Sequence, residues 1–266
     1  MRFSLYLVLF VLTFYQPKFS FSQVLNAEAF KSQEARTDSF QGQFTFGLTA
    51  DQQRSLIYSV FSDIDMSFKI RSKSLLTAGR FRMTGTSDQM LLNGGFIHFR
   101  LRDNSGKNLL LEEYIQYQWD GVRGMKNRFI AGSNIRQKLL NSTKSQVFLG
   151  FGLFYEFEEW GMSAVSQDLV PEGVSSISVH LAKFNLYSRF SRQFGQNTRF
   201  SGVFYYQALP ETFFDHFRLA GTFQFLFKVG RNLDFTVNYD GIYDTKPIVP
   251  IRNFYFNISN QFVWKF

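Results

Sequence analysis

The chain has 266 residues, no cysteine, and 29 Lys and Arg against 21 Asp and Glu, for a net charge of +8. The missing cysteines exclude a disulfide scaffold, a thiolate metal site, a cysteine nucleophile and a lipidated N-terminal cysteine. The mild, dispersed positive charge offers nucleic acid little to hold. Aromatic residues make up 19% of the chain, and Phe alone counts 35. Rings in that number would give a soluble domain aggregation-prone apolar patches. The lipid face and interfacial girdles of a membrane-spanning β-barrel absorb them.

At the N-terminus, Arg2 precedes an apolar run from Phe3 to Tyr15, broken only by Ser4 and Thr13. Gln16 and Pro17 end the run, and Ser20-Phe21-Ser22 puts small residues at −3 and −1 of a cut before Gln23. A charged start, a short apolar core and a small-x-small site predict a secretory signal peptide over 1–22. The run has 13 residues, short of the roughly 20 a membrane anchor helix needs. Beyond this segment no stretch stays apolar for the roughly 18 residues of a membrane helix, which excludes a helix bundle. Removing 1–22 takes away Arg2 and Lys18 and leaves +6. Residues 23–39 are polar and irregular, and read as a periplasmic lead-in.

From residue 40 to 266 the pattern has period two, as in strands, whose side chains point alternately to opposite faces. Twelve strands are expected near 40–50, 54–69, 74–85, 89–102, 108–120, 126–140, 146–159, 176–192, 198–208, 213–229, 232–243 and 252–266. In the seventh, Val147, Leu149, Phe151, Leu153, Tyr155 and Phe157 alternate with a face ending in Glu156 and Glu158. In the last, Phe254, Phe256, Ile258, Phe262, Trp264 and Phe266 alternate with Asn253, Asn257, Ser259, Gln261 and Lys265. Phe262, Trp264 and the terminal Phe266 resemble the signal by which outer-membrane assembly machinery selects its substrates. Each strand exceeds the 9–11 residues a tilted strand needs to cross a bilayer, and an even count suits a single-chain bacterial barrel. The connections at 70–73, 103–107, 141–145, 193–197 and 230–231 are short and rich in Gly, Asn, Ser and Lys, as tight turns are. Longer ones, at 161–175, 208–212 with its flanks and 244–251, fall on the other side, which is the outer-membrane asymmetry. The expected fold is therefore all-β: a closed antiparallel transmembrane β-barrel of about twelve strands, monomeric, in the bacterial outer membrane, with lipid as its surroundings.

Two stretches resemble a known family. Gln116-Tyr-Gln-Trp-Asp120-Gly-Val-Arg123-Gly124 and Gly150-Phe-Gly-Leu-Phe-Tyr-Glu156-Phe-Glu158 are similar to segments of domain-of-unknown-function family 481, often labelled salt-induced outer-membrane protein. The likeness extends loosely over 41–266. It implies an outer-membrane β-barrel of Gram-negative bacteria and no established activity.

The candidate functional residues lie on the fifth to seventh strands. With Ile115, Tyr117 and Trp119 facing lipid, Glu112, Gln116, Gln118 and Asp120 face the lumen. On the next strand Arg128, Asn134, Arg136 and Lys138 face in. A hairpin pairing Asp120 with Arg128 sets Glu112 opposite Arg136, and on the seventh strand Glu158 falls beside Arg128, with Glu156 on the same face. Gly150 and Gly152 then sit beside Arg136 and Asn134 and leave room for long side chains. The expected charge ladder is Asp120–Arg128–Glu158 at the outer end and Glu112–Arg136 at the inner. Opposite charges on neighbouring strands gain about 0.2–1 kcal/mol each. Such a ladder either lines a narrow polar pore or fills the lumen as a plug; twelve strands fall between the filled eight-stranded barrel and the open channels of about 16–18.

Catalysis has less to stand on. A Ser–His pair within hydrogen-bond reach would be needed for lipid hydrolysis. Of the three histidines, His98 faces inward, His180 starts the eighth strand, and His216 follows a loop with Glu211 and Asp215. No G-x-S-x-G elbow and no metal-binding spacing occurs, so no catalytic residue, metal ligand or cofactor is expected. The remaining alternatives are an outer-membrane lipid-modifying hydrolase and a soluble exported β-sandwich or lipocalin-like binder. The loop 161–175 reads as mobile surface, although Met162, Val165, Leu169 and Val170 would let it fold inward over the mouth.

Overall fold

A computed structural model describes residues 40–52, 56–86, 89–103, 108–231 and 233–264; the side chains of Gln41, Gln43, Thr45, Asp51 and residues 261–264 are excepted. The expected signal peptide and lead-in lie outside the described residues. So does Phe266, and so do the side chains of Phe262 and Trp264 in the expected assembly signal.

The described chain is all-β. Twelve strands follow in order: β1 (Phe40–Gln52), β2 (Leu56–Ile70), β3 (Lys73–Thr86), β4 (Met90–Asp103), β5 (Leu109–Asp120), β6 (Met125–Asn141), β7 (Ser145–Gly161), β8 (Ser176–Phe194), β9 (Thr198–Ala208), β10 (Phe217–Lys228), β11 (Leu233–Asp244) and β12 (Phe254–Trp264). They form one sheet in which every strand pairs antiparallel with its neighbour in sequence. Among the described residues β1 and β12 each have a single neighbour. Short turns, such as 142–144 and 195–197, connect strands at one end of the sheet. The long connections 162–175, 209–216 and 245–253 gather at the other. These are the short-turn end and the long-loop end below.

β10 and β12 start later than the period-two pattern suggests, for reasons visible in the backbone. β10 begins at Phe217 because residues before it wind into consecutive turns, with the Asp215 and His216 amides donating to the Thr212 carbonyl at 3.2 and 3.0 Å. Similarly, β12 begins at Phe254, after an irregular stretch containing Pro250. Alternating side chains there had the composition of a strand, but their backbone groups were satisfied locally.

The sheet is strongly curved. A flat sheet would hold β6 and β12 roughly 29 Å apart, at about 4.8 Å per strand. Yet the Arg123 guanidinium, just before β6, lies 5.0 Å from the centre of the Tyr255 ring on β12. Nearer pairs agree: the Tyr187 hydroxyl on β8 donates to Glu112 on β5 at 2.5 Å, and Arg218 on β10 reaches Glu158 on β7 at 2.9 Å.

Curvature gives the sheet an inner and an outer face, and the chemistry of the two is inverted relative to a soluble sheet. On β5, Ile115 is 48% exposed while Glu112 is 0% exposed; on β7, Leu153 is 55% exposed while Glu156 is 0% exposed. Large apolar side chains cover the outer face from β1 to β12. Gln116, Gln118, Asn134, Arg136 and Glu158 are all buried within the curve. Among the described residues two clusters of buried apolar side chains stand out on the inner face. One groups Tyr187, Val203, Tyr205, Ala220 and Ile242, and the other lies at the long-loop end.

Candidate functional site

Among the described residues the inner wall carries two deeply buried ion clusters, besides the partly exposed set of Asp63 with Arg80 and Arg82 on β2 and β3. The first lies toward the short-turn end and is centred on Glu112. Its Oε1 accepts from Arg102 Nε at 2.6 Å and Arg136 Nη1 at 3.3 Å; its Oε2 accepts from Tyr187 at 2.5 Å and Arg100 Nη1 at 3.5 Å. Gly150 makes this possible: a Cβ there would run into the Tyr187 ring, so only glycine lets the ring lie across β7 toward Glu112. Arg136 also sits 3.8 Å from the centre of the Phe148 ring, a cation–π contact that holds the guanidinium flat.

The second cluster, nearer the long-loop end, is centred on Glu156 and Glu158. Arg128 donates through Nε to Glu156 at 2.7 Å, also pairs with it through Nη2, and lies 3.1 Å from Glu158. Lys183 Nζ donates to Glu156 at 2.5 Å. Arg218 bridges Glu156, Glu158 and, through Nε at 2.8 Å, Asp244. Trp160 Nε1 closes the set on Glu158 at 2.8 Å.

A polar relay runs from the second cluster toward the first and ends at His98. Arg128 Nη1 donates to Gln118 Oε1 at 3.2 Å, Gln116 Nε2 donates to the same oxygen at 3.3 Å, and Gln116 Oε1 faces His98 Nδ1 at 3.1 Å. Arg128 can only donate, so the orientation of both amides follows, and His98 carries its proton on Nδ1. Beside the relay lies a cavity of about 50 Å³, bordered by His98, Gln116, Gln118, Arg128, Asn185 and Arg218 among others. That is room for a few waters.

At the long-loop end the inner space is capped. Met125, Trp160, Val165 and Val249 are buried together, with Met162 and Ile251 packed on them. The loop 162–175 therefore does fold inward, through Val165, while Leu169 remains exposed. Arg123 lies beneath the cap between Trp160, 5.5 Å away, and Tyr255. Burial lowers its pKa from the ordinary arginine value, and the nearby Asp120 charge opposes that shift.

Of the expected ladder the structure brings together Arg128 with Glu158 and Glu112 with Arg136, and it shifts the β5–β6 register. Arg128 lies opposite Glu158, Gly150 opposite Arg136, and Gly152 opposite Asn134, as expected. Across β5 and β6 the pairing is shifted by two: Arg128 faces Gln118, and Glu112 faces Asn134 rather than Arg136. The cause is the β5–β6 connection. A bulge between Gln118 and Asp120 leads into a 3₁₀ turn, Gly121–Arg123, closed by Gly124 at φ 78°. Asp120 is spent on that turn: its Oδ1 accepts from the Arg123 amide at 3.2 Å, and its Oδ2 lies 3.9 Å from the Arg123 guanidinium. The pair Asp120–Arg128 is therefore replaced by Asp120–Arg123. Glu112–Arg136 survives because a long guanidinium reaches diagonally across the strands. Lys138, half-buried opposite Phe148, joins neither cluster among the described contacts.

Arg100, Arg102, Lys183, Tyr187 and Arg218 were not singled out from sequence. Arg100 and Arg102 share the parity of His98 on β4, so the alternation that marks His98 as inward-facing marks them as well. Lys183 and Tyr187 could be named only from the β7–β8 register, and Arg218 only from the curvature. Neither a family model nor a curated protein matches the chain. The resemblance to family 481 thus stands on its two motifs. Those motifs hold Asp120, Arg123 and Gly124 of the turn, and Gly150, Glu156 and Glu158 of the clusters.

The histidines are dispersed. His98 is buried in the relay. His180 is exposed on the outer face, with Nδ1 2.5 Å from the Tyr155 hydroxyl. His216 sits at the end of the turns before β10. Among the described residues no three His, Asp or Glu side chains are arranged to hold a metal ion.

Proposed function

We propose that the sheet closes into a twelve-stranded barrel spanning the bacterial outer membrane, and that the protein is a non-enzymatic envelope component with an occluded lumen. The observation that carries this reading is the inversion of burial, with ion clusters inside the curve and large apolar side chains outside it. In water that outer face would be a continuous sticky surface. In hydrocarbon it is the favoured one, provided the strand edges are paired, and closure supplies that pairing. The expected signal peptide and the likeness to family 481 support the same location.

Occlusion rests on the contents of the lumen. The Tyr187 hydroxyl on β8 reaches across to Glu112 and Arg218 on β10 reaches across to Glu156 and Glu158, an apolar cap covers the long-loop end, and the cavity beside the relay, about 50 Å³, has room for a few waters. Purified protein reconstituted into planar bilayers is expected to show no steady ionic conductance, while migrating as a heat-modifiable band on gels. Stable single-channel steps would overturn the occluded reading. Folding and dispersal in plain buffer, without lipid or surfactant, would overturn the membrane reading.

A further inference from the structure

The most exposed large apolar side chain among the described residues is Phe214, at 81%, and it is not on a strand. It lies in the β9–β10 connection at the long-loop end. This connection is held in place. The Thr212 carbonyl accepts from the Asp215 and His216 amides, and the Phe213 carbonyl accepts from the Tyr206 hydroxyl. The Phe213 ring packs against Phe184 and Tyr206, with centroids 5.9 and 5.2 Å away, and against Phe214 itself at 5.1 Å. Phe184 on β8 and Tyr206 on β9 belong to the outer face, since their strand neighbours Lys183, Asn185 and Tyr205 are buried inside the curve. Phe213 therefore extends the apolar wall past its rim, and Phe214 packs edge-on against Phe213 and is otherwise left exposed. Glu211 and Asp215 flank it on the exposed side.

We propose that the connection 209–216 is a lipid anchor: Phe214 inserts into the leaflet at the long-loop end, at the depth of its headgroup–acyl boundary. The inference rests on the barrel reading above. Aromatic side chains concentrate at this depth in membrane proteins. Here the ring is continuous with the apolar wall through Phe213 and Tyr206, so the partner that covers the wall also covers the loop. The two flanking carboxylates keep the backbone of the turn at the water side and limit the depth.

The absence of cysteine makes the test direct, because a single introduced cysteine is the only labelling site. Phe214→Cys is spin-labelled, reconstituted into phosphatidylethanolamine–phosphatidylglycerol vesicles, and scored for collisions with oxygen against a water-soluble nickel chelate. Leu153→Cys, on the mid-wall, and Lys144→Cys, in a short turn, serve as references. The label at 214 is expected to favour oxygen, as at 153, with Glu211→Cys reporting the water side. If 214 behaves like 144 while 153 still favours oxygen, the anchor is refuted and the barrel stands. If 153 itself behaves like 144, the membrane-spanning reading falls and takes the anchor with it.

Discussion

Glu112 is the most heavily used carboxylate at the short-turn end, and its removal is the sharpest test of how the interior is held. Four donors converge on it: Arg102 at 2.6 Å, Tyr187 at 2.5 Å, Arg136 at 3.3 Å and Arg100 at 3.5 Å. All three guanidiniums are nearly fully buried, and so is Tyr187. Glu112→Gln keeps the volume and deletes the charge, so three cations face one another across a neutral amide. Removing one partner of a buried ion pair typically costs about 3–5 kcal/mol, because the remaining charge stays desolvated. The upper part of that range applies here, where one anion serves three cations. Tyr187→Phe loses one hydrogen bond to a charged group, about 1.5–3 kcal/mol. Urea unfolding in lipid vesicles, followed by tryptophan fluorescence, measures both. A Glu112→Gln loss below about 1 kcal/mol would place the cluster in contact with water, at the level of an exposed ion pair, and refute the filled lumen. The same variant is also expected to be the first to leak ions in planar bilayers.

Three further outcomes follow from the same geometry. Gly150→Val fills the space occupied by the Tyr187 ring; overpacking costs about 1–3 kcal/mol and displaces the hydroxyl from Glu112, readable as a lower urea midpoint that Tyr187→Ala in the same chain partly restores. Asp63→Asn removes pairs to Arg80 and Arg82 at 3.2 and 3.4 Å whose side chains are about a quarter exposed, so its unfolding free energy should fall by no more than about 1 kcal/mol. Leu153→Arg places a charge on the middle of the outer wall, and a loss of about 2–4 kcal/mol in vesicles is expected; an unchanged midpoint would show that position 153 does not contact hydrocarbon.

The alternation was legible because it is a local property. Each strand repeats its own pattern, so Ile115 against Gln116, or Phe151 against Glu156, declares a face without knowledge of any partner. The β6–β7 register was also readable, since the connection is a short turn and the glycines opposite Arg136 and Asn134 mark where long side chains cross. The β5–β6 register was not. It depended on whether Asp120 paired across the strands or capped the turn, and the Asp-x-x-Arg-Gly spacing favours the cap: the carboxylate meets an amide three residues on, and glycine supplies the left-handed residue that closes it. That choice moved Arg128 from Asp120 to Gln118. The cations from β8 and β10 were invisible for a different reason. Arg218 meets Glu158 only because the sheet curls, and curvature is not encoded in any one strand.

The interior of this sheet is filled with charge although apolar side chains would be cheaper to bury. On the barrel reading proposed above, the reason lies in the route such a chain would take to its membrane as much as in the folded state. With the outer face already apolar, an apolar inner face would turn each strand into an unbroken hydrophobic run. β7 and β8 span 17 and 19 residues, close to the length read as a transmembrane helix. A chain built that way would be held in the first membrane it crossed. Polar residues at every second position break the run, and once the sheet curls they have only one another to satisfy them. Glu112, Glu156 and Glu158, each holding cations contributed by other strands, are the form that satisfaction takes. The same clusters then do what a hydrophobic core does elsewhere: through Tyr187 and Arg218 they draw separate strands of the curled sheet together around a small polar cavity.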